Sequence, residues 1–150
     1  MRLVIQRVLN ASVLVENLVI GKIDSGLLIL VGFSSEDTDT DIQWAIKKLL
    51  ALRIFKDDST HMNLSVSDVS GEILIVSQFT LFASIIKGNR PSFGAAAPPE
   101  IAIKHYTQFV QTIKACSNLK VETGRFGADM QVVSENDGPV TILIDTKNKE

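Results

Sequence analysis

Four strand-like stretches follow one another within the first 33 residues, with almost no chain to spare between them. Leu3, Val4, Ile5 and Val8, then Ser12 to Glu16, Val19 to Lys22 and Leu27 to Phe33 are punctuated by Asn10, by Asn17 and by Asp24-Ser25-Gly26. Strands joined so tightly pair antiparallel, because a parallel return needs a crossover of about a dozen residues or more. From Asp39 to Leu52 the period changes. Ile42, Ala45, Ile46, Leu49 and Leu50 share one face of a helix, with Asp39 and Asp41 at its N-terminus and Lys47 and Lys48 further on, the order a helix dipole favours. Asp37, Asp39 and Asp41 alternate like the start of a calcium loop, but Ile42 takes the slot that needs Gly and Lys48 the slot that needs a bidentate Glu, so capping is the better account. Pro98-Pro99-Glu100 starts a second helix, Pro99 to Cys116, with Ile101, Ala102, His105, Tyr106, Phe109, Val110 and Ile113 on a broad apolar face. His105 reads there as a packing residue. Strands near Leu119 to Glu122, Asp129 to Ser134 and Val140 to Asp145 close the chain, so the class is α+β.

At 150 residues and 16.4 kDa the chain is expected to form one domain over 1–150. A domain of that size buries roughly two thirds of its unfolded surface without disulfides or metals. Cys116 is the single cysteine, and Arg2 and Arg7 sit in a strand pattern with no apolar leader region, which together predict a reducing, cytoplasmic location. No apolar run approaches membrane-spanning length, so no membrane partner is expected. Asn10-Ala11-Ser12 and Asn63-Leu64-Ser65 match glycosylation sequons by chance, in what read as loops and turns. The net charge of -2 argues against tracking a long nucleic-acid backbone, and DNA is not an expected partner.

Two polar segments are spliced onto apolar runs. Ser77-Gln78-Phe79-Thr80-Leu81 follows the buried-strand run Ile73 to Val76, and Asn136-Asp137-Gly138-Pro139-Val140-Thr141 runs straight into Val140 to Ile144. Unpaired polar groups at a buried strand end cost about 1–3 kcal/mol each, so such segments need a reason, and rigid loops on sheets are where sites lie. The long stretch Lys87 to Pro99 is a third candidate, because long ordered loops are often functional. The usual catalytic tools are few. His61 and His105 are the two histidines; there is no His-x-x-x-His, paired-Cys or Gly-x-Ser-x-Gly pattern, and Gly124-Arg125-Phe126-Gly127 is neither a dinucleotide nor a Walker fingerprint. Neither a metal nor another cofactor is expected.

The two segments together resemble the signatures of the D-aminoacyl-tRNA deacylases, an SQFTL segment and an N-x-G-P-x-T segment, both without a substitution. The likeness continues through Met1 to Val8, Leu52-Arg53-Ile54-Phe55, Lys87 to Phe93 and Thr123 to Met130, whereas Ala83 to Ile86 and the tail after Asp145 depart from it. The resemblance implies a barrel-like antiparallel sheet flanked by two helices, a homodimer, and hydrolysis of the ester between a D-amino acid and the 3′ end of an aminoacylated tRNA in translation quality control. Glycyl-tRNA mischarged on tRNA(Ala) should also be a substrate, since glycine has no side chain to reject.

By the same resemblance Ser77, Gln78, Phe79 and Thr80 line the ester, with main-chain N–H groups near Phe79 and Thr80 facing the developing oxyanion. Thr80 is either a nucleophile or part of a pocket in which the ribose 2′-OH helps activate water. The second is favoured, because no partner base is visible for a hydroxyl of such high pKa and an aminoacyl ester is already activated. Gly138-Pro139 is implied to be a cis peptide that enters the partner subunit's pocket, holds the α-amino group through carbonyls and leaves no room for an L side chain. Asn136 and Thr141 brace that loop, Arg7 orients it or the opposing wall, and Phe126 and Met130 either cover the adenosine or side-chain pocket or pack in the core. Lys87, Arg90 and Lys104 are either a local tRNA contact or ordinary surface. Two other readings stay open: a non-catalytic module for tRNA ends or nucleotides, disfavoured by one Trp, one Tyr and an acidic balance, and a metal-free hydrolase of free D-amino-acid esters or amides.

Overall fold

In the computed structural model, which describes residues 1–59 and 61–149, the elements run β1 (Arg2–Val15), β2 (Leu18–Ile23), β3 (Gly26–Gly32), α1 (Asp39–Ala51), β4 (Phe55–Lys56), β5 (Met62–Leu64), β6 (Glu72–Ser77), a 3-10 turn (Phe79–Phe82), α2 (Pro99–Cys116), β7 (Val121–Thr123) and β8 (Gln131–Asp145). The main sheet has the order β2-β1-β3-β6-β7, with β8 on the other side of β1; β4 and β5 form a separate ribbon.

The sheet is mixed. β1 pairs antiparallel with β2, β3 and β8, but β3–β6 and β6–β7 are parallel, which departs from the wholly antiparallel expectation. The tight turns force antiparallel pairing only among the early strands; α1 and α2 supply the long crossovers that a parallel neighbour requires. Continuous apolar runs mark strands covered on both faces, and β3 and β6 are such runs. Leu27, Ile29, Val31, Ile73 and Ile75 pack with Ile42, Ala45, Ile46 and Leu49 of α1 and Ala102, Tyr106, Phe109 and Ile113 of α2. Leu28, Leu74 and Val76 face the other way and fill a second core with Val8, Ala11, Val13 and Ile23. Each large side chain so buried contributes roughly 1.5–3 kcal/mol. The second core is a barrel interior, because β2 and β7 at the two ends of the sheet nearly meet: a Cβ on Gly21 would lie 2.7 Å from the Thr123 carbonyl oxygen.

Asn10 does not end a strand. β1 continues through it, bending where its pairing with β8 shifts register, so the Asn10 sequon lies in a strand and not a turn. Likewise the last two expected strands are one, β8, and the Asn136–Val140 segment is a bulge within it. Of the aspartates before and within α1, Asp41 is the one that caps the helix. Thr38 is the N-cap, its backbone N–H donates to Asp41 Oδ2 at 2.9 Å, and its hydroxyl accepts from the Asp41 N–H at 3.4 Å. Asp37 accepts from the Ser34 N–H at 2.7 Å and pairs with the buried Met1 ammonium, which also donates to Thr146 Oγ1 at 2.7 Å. The start of β1, the end of β8 and the entry to α1 are thereby tied at one point.

Candidate active site

The motif after β6 is shaped by what lies beneath it. Gln78 continues the strand far enough to donate its N–H to the Val31 carbonyl at 2.8 Å, and the chain then tightens into the 3-10 turn. Gly32 makes this possible: a Cβ there would lie 2.7 Å from the Gln78 carbonyl oxygen and 3.3 Å from Leu81 Cβ and Phe82 Cδ2. The first N–H groups of a helical turn have no internal acceptor. Here these are Phe79 and Thr80, and among the described residues neither N–H finds a partner. Both residues are exposed. Gln78 Nε2 donates to Thr80 Oγ1 at 2.5 Å, and among the described residues no carboxylate, imidazole or amine bonds that hydroxyl.

Ser77, Gln78 and Phe79 form one edge of a cavity of about 680 Å³. Its walls come from four other places in the chain: Val31 to Phe33 at the end of β3, Phe93 and Ala96 to Pro98 from the long loop, Pro99 and Ala102 from α2, and Phe126 to Met130 with Val132 from the segment leading into β8. Phe79 and Phe93 meet edge to face, with ring centroids 5.0 Å apart. Phe126 and Met130 line the cavity and also pack against the cores, Phe126 against the first and Met130 against the second; Phe126 also lies 5.7 Å from the Tyr106 ring. Asp129 is the cavity's one charged lining residue among those described. Neither Asp129 nor Phe93 was singled out from sequence; the long ordered loop was the signal for Phe93.

Gly138 and Pro139 do not line this cavity, and neither do Arg7, Asn136, Thr141 or Thr80. In the pairing of β1 with β8, Gln6 faces Thr141 and Val8 faces Asn136, so residues 137–140 stand against Arg7 alone and bulge out. The Gly138–Pro139 peptide is cis, Gly138 has φ 134°, and both residues are exposed. The bulge is held from inside. Arg7, 2% exposed, forms an ion pair with Asp137 (Nε to Oδ2, 2.8 Å) and donates Nε to the Asp137 carbonyl at 3.2 Å, while its Nη1 donates to the Ile54 carbonyl. Asn136 closes the loop, its Oδ1 accepting from the Val140 N–H at 2.9 Å and its Nδ2 donating to Thr141 Oγ1 at 3.3 Å. Thr141 Oγ1 also accepts from Gln6 Nε2 at 3.3 Å.

His105 stacks on Phe33, with centroids 5.7 Å apart, and lies outside the cavity lining. Lys87, Arg90 and Lys104 are exposed and also lie outside it. Among the described residues no cluster of His, Cys, Asp and Glu is arranged to hold a metal ion, and no helix is long and apolar enough to cross a membrane.

Residues 4–145 match the family model described as D-Tyr-tRNA(Tyr) deacylase. The chain is 55% identical over 150 residues to a D-aminoacyl-tRNA deacylase of Flavobacterium psychrophilum, covering 100% of both chains. It is 55% identical over 147 residues to one of Thermosipho africanus, covering 98% of each. Among solved structures, the c-Myc DNA Unwinding Element Binding Protein superimposes with a TM-score of 0.92 at 43% identity, covering 97% of this chain and 98% of that one. A probable eukaryotic D-amino acid tRNA deacylase superimposes with a TM-score of 0.82 at 20% identity, covering 95% and 97%, which shows the shared fold.

Proposed function

Since the chain belongs to the D-Tyr-tRNA(Tyr) deacylase family, we propose that it hydrolyses the ester joining a D-amino acid to the 3′ end of a tRNA, and spares the L form. The observation that carries this reading is the pair of N–H groups, without a partner among the described residues, on Phe79 at the edge of a cavity of about 680 Å³ and on Thr80 next to it in the chain. Attack of water on the ester carbonyl generates an oxyanion, and two preorganised amide donors are the stabilisation it requires. Thr80 acts as a positioning group in this reading. Its hydroxyl already accepts a hydrogen bond from Gln78 and, among the described residues, has no base to take its proton, so the ribose 2′-OH of the substrate is left to assist the water.

Handedness is assigned to Gly138 and Pro139 of a partner subunit. Within one chain they stand clear of the cavity, on a bulge that Arg7, Asn136 and Thr141 hold outward. The sheet face between bulge and motif favours a second copy. Ile142 and Ile144 of β8 pack inward, so Thr141 and Leu143 face out, and Leu143 is 68% exposed beside Val4 of β1. A two-fold contact uses the same patch on both partners, so it can bring each bulge to the other's motif. Carbonyls of the bulge then hold the α-amino group, and backbone occupies the space an L side chain needs. Glycyl-tRNA, lacking a side chain, passes the same filter. The role is removal of mischarged D-amino acids and glycine from tRNA, in the cytoplasm.

The test is release of tyrosine from D-tyrosyl-tRNA and from L-tyrosyl-tRNA, each corrected for spontaneous decay. Release from the D form with the L form at background is expected. Equal rates, or binding with no turnover of either, would contradict the reading.

A further inference from the structure

The 3-10 turn Phe79–Phe82 has little of its own to hold it. It is four residues long, none of them is buried, and Gln78 supplies no side-chain cap. Its bonds from Leu81 N–H to the Gln78 carbonyl and from Ala83 N–H to the Thr80 carbonyl span 3.3 and 3.0 Å. Short turns of this type have poor hydrogen-bond geometry and a costly nucleus, so an isolated one frays. Amides that stabilise an oxyanion must be fixed before the reaction begins.

Arg2 reaches this turn from the start of β1. Its Nη1 donates to the Leu81 carbonyl at 2.9 Å, and its guanidinium lies over the Phe82 ring, 4.7 Å from the centroid. Its Nε donates to Asp145 Oδ2 at 2.9 Å. One planar cation thus grips a carbonyl, an aromatic face and a carboxylate at once, which the point charge of a lysine does not reproduce. Asp145 is itself fixed. It stands opposite Arg2 in the β1–β8 ladder, and its other oxygen accepts from the Lys147 N–H at 3.0 Å. Burial alone would raise its carboxyl, but the bonds from Lys147 and Arg2 outweigh that and hold it below the usual carboxylate range. Opposite Arg2 on the other side is Gly32, the bare position on which the turn rests. Arg2 meets the carbonyl end of the turn, where a positive charge is favourable, and leaves the amide end toward Phe79 and Thr80 free.

We infer that Arg2, oriented by Asp145, is a positioning residue for the reaction: by pinning the Leu81 carbonyl and the Phe82 ring it holds the Phe79 and Thr80 amides where the oxyanion forms. It lines no part of the cavity and acts only through the turn. The inference rests on the function proposed above and adds to it a residue that the motif does not contain.

Arg2→Ala, Arg2→Lys and Asp145→Asn in the full-length chain test it by two readouts. Amide hydrogen exchange at Leu81 and Ala83 should quicken roughly tenfold in Arg2→Ala, while amides in the middle of β3 keep their protection. On D-tyrosyl-tRNA, kcat should fall roughly tenfold with KM within about twofold of the wild type, the pattern of an interaction made in the transition state. Arg2→Lys should restore the melting temperature without restoring kcat, and Asp145→Asn should fall between Arg2→Ala and the wild type in both readouts. Should Arg2→Ala fail to fold, Arg2→Lys carries the comparison. Unchanged exchange at Leu81 and Ala83 overturns the clamp, and quickened exchange with unchanged kcat overturns its part in the reaction. A wild-type protein that releases no D-tyrosine defeats the functional reading and this inference with it, and the exchange readout distinguishes that result from failure of the clamp.

Discussion

Tyr106 shows how single residues tie the cavity wall to the sheet. Its hydroxyl donates to the Ile75 carbonyl at 3.0 Å, from the middle of α2 to the middle of β6, while its ring supports Phe126. The same carbonyl accepts from the Gly124 N–H at 2.9 Å, so it keeps a partner if the hydroxyl is removed. Tyr106→Phe should therefore cost only about 0.5–1 kcal/mol, measured by urea unfolding at neutral pH. Burial pushes the phenol up to about 12. A raised folded pKa leaves stability unchanged below the ordinary value of about 10 and erodes it as pH climbs from there through the folded value. Unfolding midpoints between pH 9 and roughly 11.5 should thus decline in the wild type and decline less in Tyr106→Phe. At this scale the motif residues could be read directly, because Ser77, Gln78 and Thr80 are polar where an apolar strand ends. Arg2 could not. Its partner Leu81 lies 79 residues away and contributes a backbone carbonyl, which leaves no side-chain signature.

Among the elements, the two helices were the most legible, since an apolar face with charges in dipole order has few alternative meanings. The cap of α1 permits a direct measurement. Thr38→Ala should cost about 1 kcal/mol, read as a shift in the thermal or urea midpoint. Asp41 adds a pH dependence. Its burial opposes ionisation, but hydrogen bonds from Lys147 and Thr38 prevail and hold the carboxyl well below the usual range. A lowered folded pKa gives stability that is present above about pH 4 and lost as pH falls below that. Between pH 5 and roughly pH 3, Asp41→Asn should lose less stability than the wild type, and parallel losses would contradict the assignment. Strand pairing was less legible. The runs Leu27 to Val31 and Ile73 to Val76 do announce burial on both faces, but nothing local shows that they lie side by side and parallel; that follows from where α1 and α2 cross. The bulge hid the unity of β8 in the same way, because Gly138-Pro139 reads as a break and only the ladder with β1 shows that pairing resumes on both sides.

At the scale of the whole molecule, the two signature segments lie apart within one chain. Ser77, Gln78 and Phe79 edge the cavity, and Gly138 and Pro139 crown a bulge outside it. Periodicity cannot express a contact between two copies of a sequence; here that expectation came only from resemblance. If each site is built from one protomer's motif and its partner's bulge, a damaged motif and a damaged bulge should complement each other. Gln78→Ala damages the first. Gly138→Ala damages the second, since its φ of 134° is strained for a residue with a Cβ, which would lie 2.8 Å from Val140 Cγ2. The decisive measurement is release of D-tyrosine from D-tyrosyl-tRNA after the two weakly active variants are unfolded together and refolded as a mixture. In a mixed dimer one site carries both defects and the other carries neither, so recovery to roughly a quarter of wild-type activity is expected. A mixture no more active than the mean of the two variants would contradict a site shared between subunits.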